Sequence, residues 1–190
     1  RWFKVFLRWV RKLAFSTDLY TDKRVTSLYL TLKFGIMALQ VGEKAPDFTL
    51  INTQKEEVTL SNQEGPVVLL FFPMAFTGVC TTELCTIRDD YGSYNDLKAT
   101  VFGISVDSPF SLGKFKEEQN LNFELLSDFN KTASAAYGAL YEDFVLGLKG
   151  VSKRSAFVVD GNGIIQYAEV LESAGDLPNF TAIKQALQEL

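Results

Sequence analysis

Cys80 is the residue on which chemistry can be built. In FFPMAFTGVCTTELC, residues 71–85, Pro73 closes an apolar run, Gly78 supplies a flexible turn, and Cys80 falls in the first turn of the helix predicted to follow. Free backbone N–H groups and the positive end of the dipole at a helix N-terminus stabilise a thiolate, the nucleophilic form of cysteine. Thr77, three residues earlier, can direct its hydroxyl toward the same sulfur. The chain contains no histidine, which excludes triads with an imidazole base, His-ligated metals and imidazole proton shuttles. Two cysteines alone cannot complete a four-ligand structural zinc site. A cation must therefore hold the thiolate, and Arg154, at the entry of an apolar strand over 155–159, is the best candidate.

Cys85 raises a question of geometry. Residues five apart in an α-helix are separated by about 7.5 Å of rise and roughly 8.6 Å between Cα atoms. A disulfide spans about 4.4 to 6.8 Å. The bond cannot form in the intact helix, so if the two sulfurs join, the first turns must unwind in each cycle. Otherwise Cys85 is a small packing residue under the helix. Arg88 and Asp89, on the same helix, read as a supporting pair rather than as reacting groups. Phe76 reads as a residue lining the pocket.

The elements that must position these groups follow from hydrophobic pattern. Asp47–Ile51 and Glu57–Leu60 are predicted to form a hairpin, and residues 67–72 between Pro66 and Pro73 a buried strand. A helix over 78–97, a second buried strand over 100–106, a helix over 109–118 and a short strand over 123–127 follow. A short helix near 132–137 then gives way to a Gly-rich loop. Residues 155–159 and 164–170, joined by Asp-Gly-Asn-Gly, form the clearest hairpin signal. An amphipathic helix over 178–190 closes the chain. Parallel strands with helical crossovers, ending in an antiparallel hairpin and a helix, describe a three-layer α/β domain with a mixed sheet.

Composition agrees with a single globular domain. The 190 residues are 47% hydrophobic and 22% charged, which excludes disordered and fibrous classes. With a net charge of −4 there is no electrostatic case for nucleic acid as a partner. The charge is unevenly placed: residues 1–36 hold eight Lys/Arg against two Asp, whereas 37–190 hold 11 against 21. Residues 1–13 make a basic amphipathic helix on paper, with Arg1, Lys4, Arg8, Arg11 and Lys12 opposite Trp2, Val5, Phe6, Trp9, Val10 and Leu13. Such a segment could lie on an anionic membrane, but it is far too short of uncharged residues to span one, and its charges interrupt any signal-peptide core. The expectation is that 1–36 is not native protein and that the domain runs over 37–190. A surface-bound or disordered tail, or a helix packed on the domain, are the other readings.

The pattern Pro73-x-x-x-Thr77-x-x-Cys80 resembles that of the peroxiredoxins, and the likeness extends from about Leu39 to Leu190. The alkyl hydroperoxide reductase E type is the most similar. KAPDFTL near the start, ELCTIRD in the helix, ISVDSP after the second strand, then LLSD, AYG and RSAFVVDGNGII add matches in order. The resemblance implies a thioredoxin-like fold with an N-terminal hairpin extension. It implies a thiol-dependent peroxidase in which Cys80 is the peroxidatic cysteine, Thr77 and Arg154 bind the thiolate and the peroxide oxygens, and Pro73 shields the intermediate. Glu83 matches the acidic position that orients the arginine. Cys-x-x-x-x-Cys resembles the bacterioferritin comigratory protein type, in which the second cysteine, here Cys85, resolves the first. The alternatives are a one-cysteine enzyme resolved by an external thiol and a non-catalytic thiol switch. A hydroperoxide substrate and a thioredoxin-like, glutaredoxin-like or low-molecular-weight thiol reductant are the implied partners, with a homodimer as the implied assembly. No metal or organic cofactor is needed. Membrane contact by 1–36 is not expected, and cysteines that must be re-reduced fit a cytoplasmic site.

Overall fold

The computed structural model describes residues 39–190, so the basic amphipathic segment lies outside the described residues. The chain first pairs Leu50 with Val58 in a hairpin of β1 (Thr49–Asn52) and β2 (Glu57–Thr59). Asn52 closes its turn, its side-chain oxygen accepting from the N–H groups of Gln54 and Glu56 at 2.9 Å each. Asparagine's short carbonyl reaches its own backbone two residues on, a standard device for a tight turn.

The uninterrupted apolar run after Pro66 becomes β3 (Val67–Phe71), buried at every residue. Helix α1 (Gly78–Asp89) and helix α2 (Tyr91–Asp96) lead back to β4 (Thr100–Ser105). Helix α3 (Pro109–Glu118) leads to β5 (Glu124–Ser127), and α4 (Thr132–Ala136) follows. A small arm of β6 (Leu140–Tyr141) and β7 (Val151–Ser152) precedes β8 (Ser155–Val159), β9 (Ile165–Val170) and α5 (Phe180–Gln188). The main sheet has the order β2-β1-β5-β4-β3-β8-β9, with β3, β4 and β5 parallel and β1, β8 and β9 antiparallel to their neighbours. This is the mixed sheet and N-terminal hairpin that the sequence predicts.

Alternation along β3 divides the core. Val68, Leu70 and Phe72 join Leu84 and Ile87 of α1, Leu112 and Phe115 of α3 and Ile183 of α5. Val67, Leu69 and Phe71 turn to the other face, with Phe48, Leu50, Tyr137 and Phe157. Strand side chains point to opposite faces in turn, so an all-apolar strand is one covered on both sides. Gly103 on β4 leaves room for the Leu125 side chain of β5: a Cβ there would lie 2.6 Å from a Leu125 methyl, 3.4 Å from the Phe72 ring and 3.5 Å from Leu84.

Two departures from the predicted elements have physical causes. The single helix expected over 78–97 is broken at Asp90, whose backbone (φ −107, ψ 13) leaves the helical region. Its carboxylate accepts from Ser93 Oγ and, at 2.7 Å, from Lys184 Nζ on α5. A short polar side chain that bonds to nearby groups competes with continued helix. The Gly-rich loop after 137 contains the β6–β7 arm, with Leu140 opposite Ser152. The predicted closing hairpin is present. Asp160 Oδ1 accepts from the N–H groups of Asn162 and Ile164, and Gly163 adopts φ +78, which glycine tolerates without steric penalty.

Candidate active site

Register builds the site. Because β8 runs antiparallel to β3 with Ser155 opposite Phe71, Arg154 falls beside Phe72, where β3 has just ended at its carboxyl end. Helix α1 begins seven residues after Phe71, with Cys80 as its third residue. Strand, loop and helix thus bring Arg154 and Cys80, 74 residues apart in sequence, into contact. Cys80 is 2% exposed and Arg154 1%, so the pair is withdrawn from bulk water.

Arg154 divides its donors among three acceptors. Its Nη2 donates to Cys80 Sγ at 3.3 Å and to the Ala174 carbonyl at 2.9 Å, and Nε donates to the same carbonyl at 3.3 Å. Its Nη1 donates to Glu83 Oε2. Glu83 is fully buried, and its Oε1 has no hydrogen-bond partner. Burial pushes its carboxyl up to about 8, against the opposing pull of Arg154. Burial also works against the Arg154 charge, yet Glu83 and Cys80 outweigh it and hold the guanidinium above its ordinary value. A buried arginine with an incompletely paired carboxylate beside it keeps attraction in reserve for another anion.

Thr77 occupies the N-cap of α1 in extended conformation, but its hydroxyl makes no cap bond to the helix. It donates instead to the Met74 carbonyl at 2.9 Å, not to the sulfur as the sequence suggests. The oxygen's lone pairs therefore face no helical N–H, and the first N–H groups of α1 are not taken by their cap residue. Such groups are the ones that bind developing negative charge at helix starts. Pro73 is buried at the end of β3, and Phe76 is half exposed with its ring 5.0 Å from that of Phe115. Phe76 adopts φ +63, a strained conformation for a bulky residue.

Three supports escape sequence reasoning. Asp107 accepts from the Ala75 N–H at 2.7 Å and from Ser105 Oγ at 2.8 Å, fixing the loop that carries Thr77. The motif ISVDSP contained this residue, but no local signal tied it to a loop 32 positions away. The Ala174 carbonyl is a backbone group, which no side-chain pattern reveals. Tyr141, on the arm, donates to the Glu172 carbonyl at 3.2 Å, and Lys153 pairs with Glu172 at 2.8 Å, steadying the segment that ends in Ala174. Cys85 lies farther along α1, half buried, with Sγ 3.8 Å from Gln119 Oε1. Both cysteines are free thiols.

A thioredoxin-like sheet with an N-terminal hairpin, and a buried Cys–Arg–Glu cluster at the start of its first helix, defines a redox protein that works through a thiol. The profile of the AhpC/TSA family matches residues 41–168. The chain is 39% identical over 136 residues to alkyl hydroperoxide reductase E of Mycobacterium tuberculosis, covering 70% of this chain and 86% of that protein. It is 39% identical over 130 residues to peroxiredoxin Bcp of Bacillus subtilis, covering 67% and 82%. The crystal structure of peroxidoxin BcpB from Mycobacterium tuberculosis superposes with a TM-score of 0.71 at 30% identity, over 80% of this chain and 98% of that one. The chain belongs to the AhpC/TSA family of peroxiredoxins, the thiol-dependent peroxidases.

Proposed function

We propose that Cys80 is the peroxidatic cysteine of this peroxidase and that Arg154 and Thr77 are its partners in the first step. The carrying observation is the 3.3 Å hydrogen bond from Arg154 Nη2 to Cys80 Sγ between two buried side chains. The thiolate attacks the distal oxygen of a hydroperoxide: an S–O bond forms, the O–O bond breaks, the sulfur becomes a sulfenic acid, and an alkoxide or hydroxide departs. Negative charge moves from sulfur to the departing alkoxide, which takes a proton to become an alcohol or water. Arg154 and the uncapped N–H groups of α1 face that charge as it shifts, a preorganised arrangement in a site shielded from water. Thr77 Oγ1, its own proton held by Met74, is an acceptor for the peroxide O–H. Pro73, buried just past the end of β3, shields the sulfenic acid intermediate. Glu83 holds Arg154 in place through Nη1.

Cys85 is the proposed resolving cysteine. Its thiolate attacks the Cys80 sulfur, forming the disulfide and expelling hydroxide, and an external thiol such as a thioredoxin-like, glutaredoxin-like or small thiol restores both cysteines by exchange. Its half-buried place outside the core cluster that holds Leu84 and Ile87 favours this over simple packing. Such chemistry fits a reducing compartment such as the cytoplasm. Among the described residues no helix is long and apolar enough to cross a membrane.

Cys80→Ser abolishes peroxide reduction and leaves the fold intact, read by peroxide consumption with a recycling thiol and by circular dichroism. Substantial residual turnover would overturn the assignment. Mass spectrometry after one equivalent of peroxide separates the two-cysteine from the one-cysteine route. The expected product is a Cys80–Cys85 linked peptide and a loss of two hydrogens, with Cys85→Ser accumulating sulfenic acid instead.

A further inference from the structure

The two halves of α1 are held differently, and the difference falls between the two cysteines. Two carbonyls that precede Cys85, those of Gly78 and Thr82, accept from the hydroxyls of Thr82 and Thr86 at 3.0 and 2.8 Å. Such back-bonding to the residue four before competes with the ladder and loosens a helix. Thr81 and Thr82 are adjacent β-branched residues with weak helix propensity, and the N-cap lacks its side-chain bond. The C-terminal half is tied from outside. Arg88 Nη1 donates to the Gln119 carbonyl at 2.6 Å, just beyond the end of α3, and Asn122 Nδ2 donates to the Arg88 carbonyl at 3.1 Å. Asp89 accepts from Arg88 Nε at 2.8 Å, which steadies the guanidinium in that pose. Gln119 also reaches Cys85 through its side-chain oxygen. One turn of chain, 119–122, therefore grips α1 at a side chain, at a backbone carbonyl and at the second thiol.

We propose that Arg88 is a positioning residue for disulfide formation, pinning the Cys85 end of α1 to the turn after α3 while the Cys80 end unwinds toward it. This rests on Cys85 as the resolving thiol. Joining sulfurs from Cα atoms roughly 8.6 Å apart requires contraction by about 2 Å or more. If the whole helix loosened, Cys85 would be lost to the same ensemble that frees Cys80, and their encounter would be rarer. With one end anchored, only residues 78–84 need open, and the sulfenic acid meets a thiol at a fixed place. The reaction itself is unchanged: the Cys85 thiolate forms the S–S bond, the S–O bond breaks, and hydroxide takes up a proton to leave as water, so the sulfenic sulfur is reduced as the thiol is oxidised.

The test is a single turnover of the full chain without reductant. Reduced protein is mixed with one equivalent of hydrogen peroxide, quenched in acid at set times, and resolved by mass into thiol, sulfenic acid and linked disulfide. Arg88→Ala is expected to slow disulfide formation at least fivefold while the loss of Cys80 thiol keeps its wild-type rate, and to raise the sulfinic fraction under excess peroxide. Arg88→Lys, which retains a donor for the Gln119 carbonyl, recovers most of the rate. Asn122→Ala, which removes only the bond to the Arg88 carbonyl, moves the same step in the same direction by a smaller factor. An unchanged disulfide rate in both alanine variants overturns the proposal, as does an equal slowing of both steps, which a general loosening of the fold would produce. No linked peptide in the wild type overturns the resolving role of Cys85 and this inference with it. A linked peptide that forms equally fast without Arg88 removes only the inference.

Discussion

Arg154 touches the sulfur, the buried carboxylate and a backbone carbonyl with one rigid planar group, and lysine's single ammonium could not serve all three. In the proposed chemistry its charge matters most at the moment the O–O bond breaks, because the alkoxide forms beside side chains withdrawn from bulk solvent. Arg154→Met keeps the bulk of the side chain and removes the charge. The expected outcome is a second-order rate with hydrogen peroxide lower by more than tenfold, a difference of about 1.4 kcal/mol or more in the barrier, measured by stopped-flow on the first turnover. An unchanged rate would show that another group has the role. Glu83 would then be left buried without its cation, so the same variant also melts at a lower temperature. At this scale the sequence was legible where a residue carries its own reactivity. The Cys and the Arg stand out by type, whereas Glu83, five residues after the helix start, is marked only by the family resemblance. The Ala174 carbonyl and the Asp107 brace do not, because they act through contacts that only the folded chain creates.

A helix start is only as accurate as the sheet beneath it. Helix α1 packs Leu84 and Ile87 into the cluster formed with β3 and β4, and Leu84 meets the sheet beside Gly103. Gly103→Ala adds a methyl among Leu125, Phe72 and Leu84, three fully buried side chains with nowhere to retreat. Overpacking of that kind costs about 1 to 3 kcal/mol. The variant is expected to melt at a lower temperature and to slow peroxide reduction, since Leu84 neighbours Glu83 on the helix that carries Cys80. A stability equal to wild type in denaturant titration would show that the sheet can shift to make room. The strands were legible because an apolar run with alternating faces has a period that helices do not share. The break at Asp90 was not, because the residue that ends α1 does so through Lys184, nearly a hundred positions later. The β6–β7 arm escaped for a similar reason: two-residue strands have no period to read, and they are set by the partner they find.

At the scale of the molecule, the first residues of the described chain are stitched to the far edge of the sequence. Gly42 N–H donates to the Ile165 carbonyl at 2.8 Å, Ala45 N–H to the Gly163 carbonyl at 2.9 Å, and Ile165 N–H to the Glu43 carbonyl at 2.9 Å. Ala45 and Phe48 then enter the core with Val159 and Ile165. The segment that begins at about residue 40 is therefore part of the fold, and the family profile begins at residue 41. Residues 1–36 differ in kind, with a net charge of +6 beside −10 for the remainder. We propose that the peroxidase unit is complete from Met37. A chain starting there is expected to match the full chain in peroxide turnover and melting temperature, because it keeps the bonds of Gly42, Glu43 and Ala45 and the burial of Phe48 that tie its first residues to the core. Cutting further, to begin at Thr49, removes the bonds of Gly42, Glu43 and Ala45 and the burial of Phe48, and its loss of several kcal/mol should unfold a domain of ordinary stability. Differential scanning calorimetry of the three chains decides the matter. A large drop in melting temperature at Met37 would mean that the basic segment packs on the domain and contributes to it.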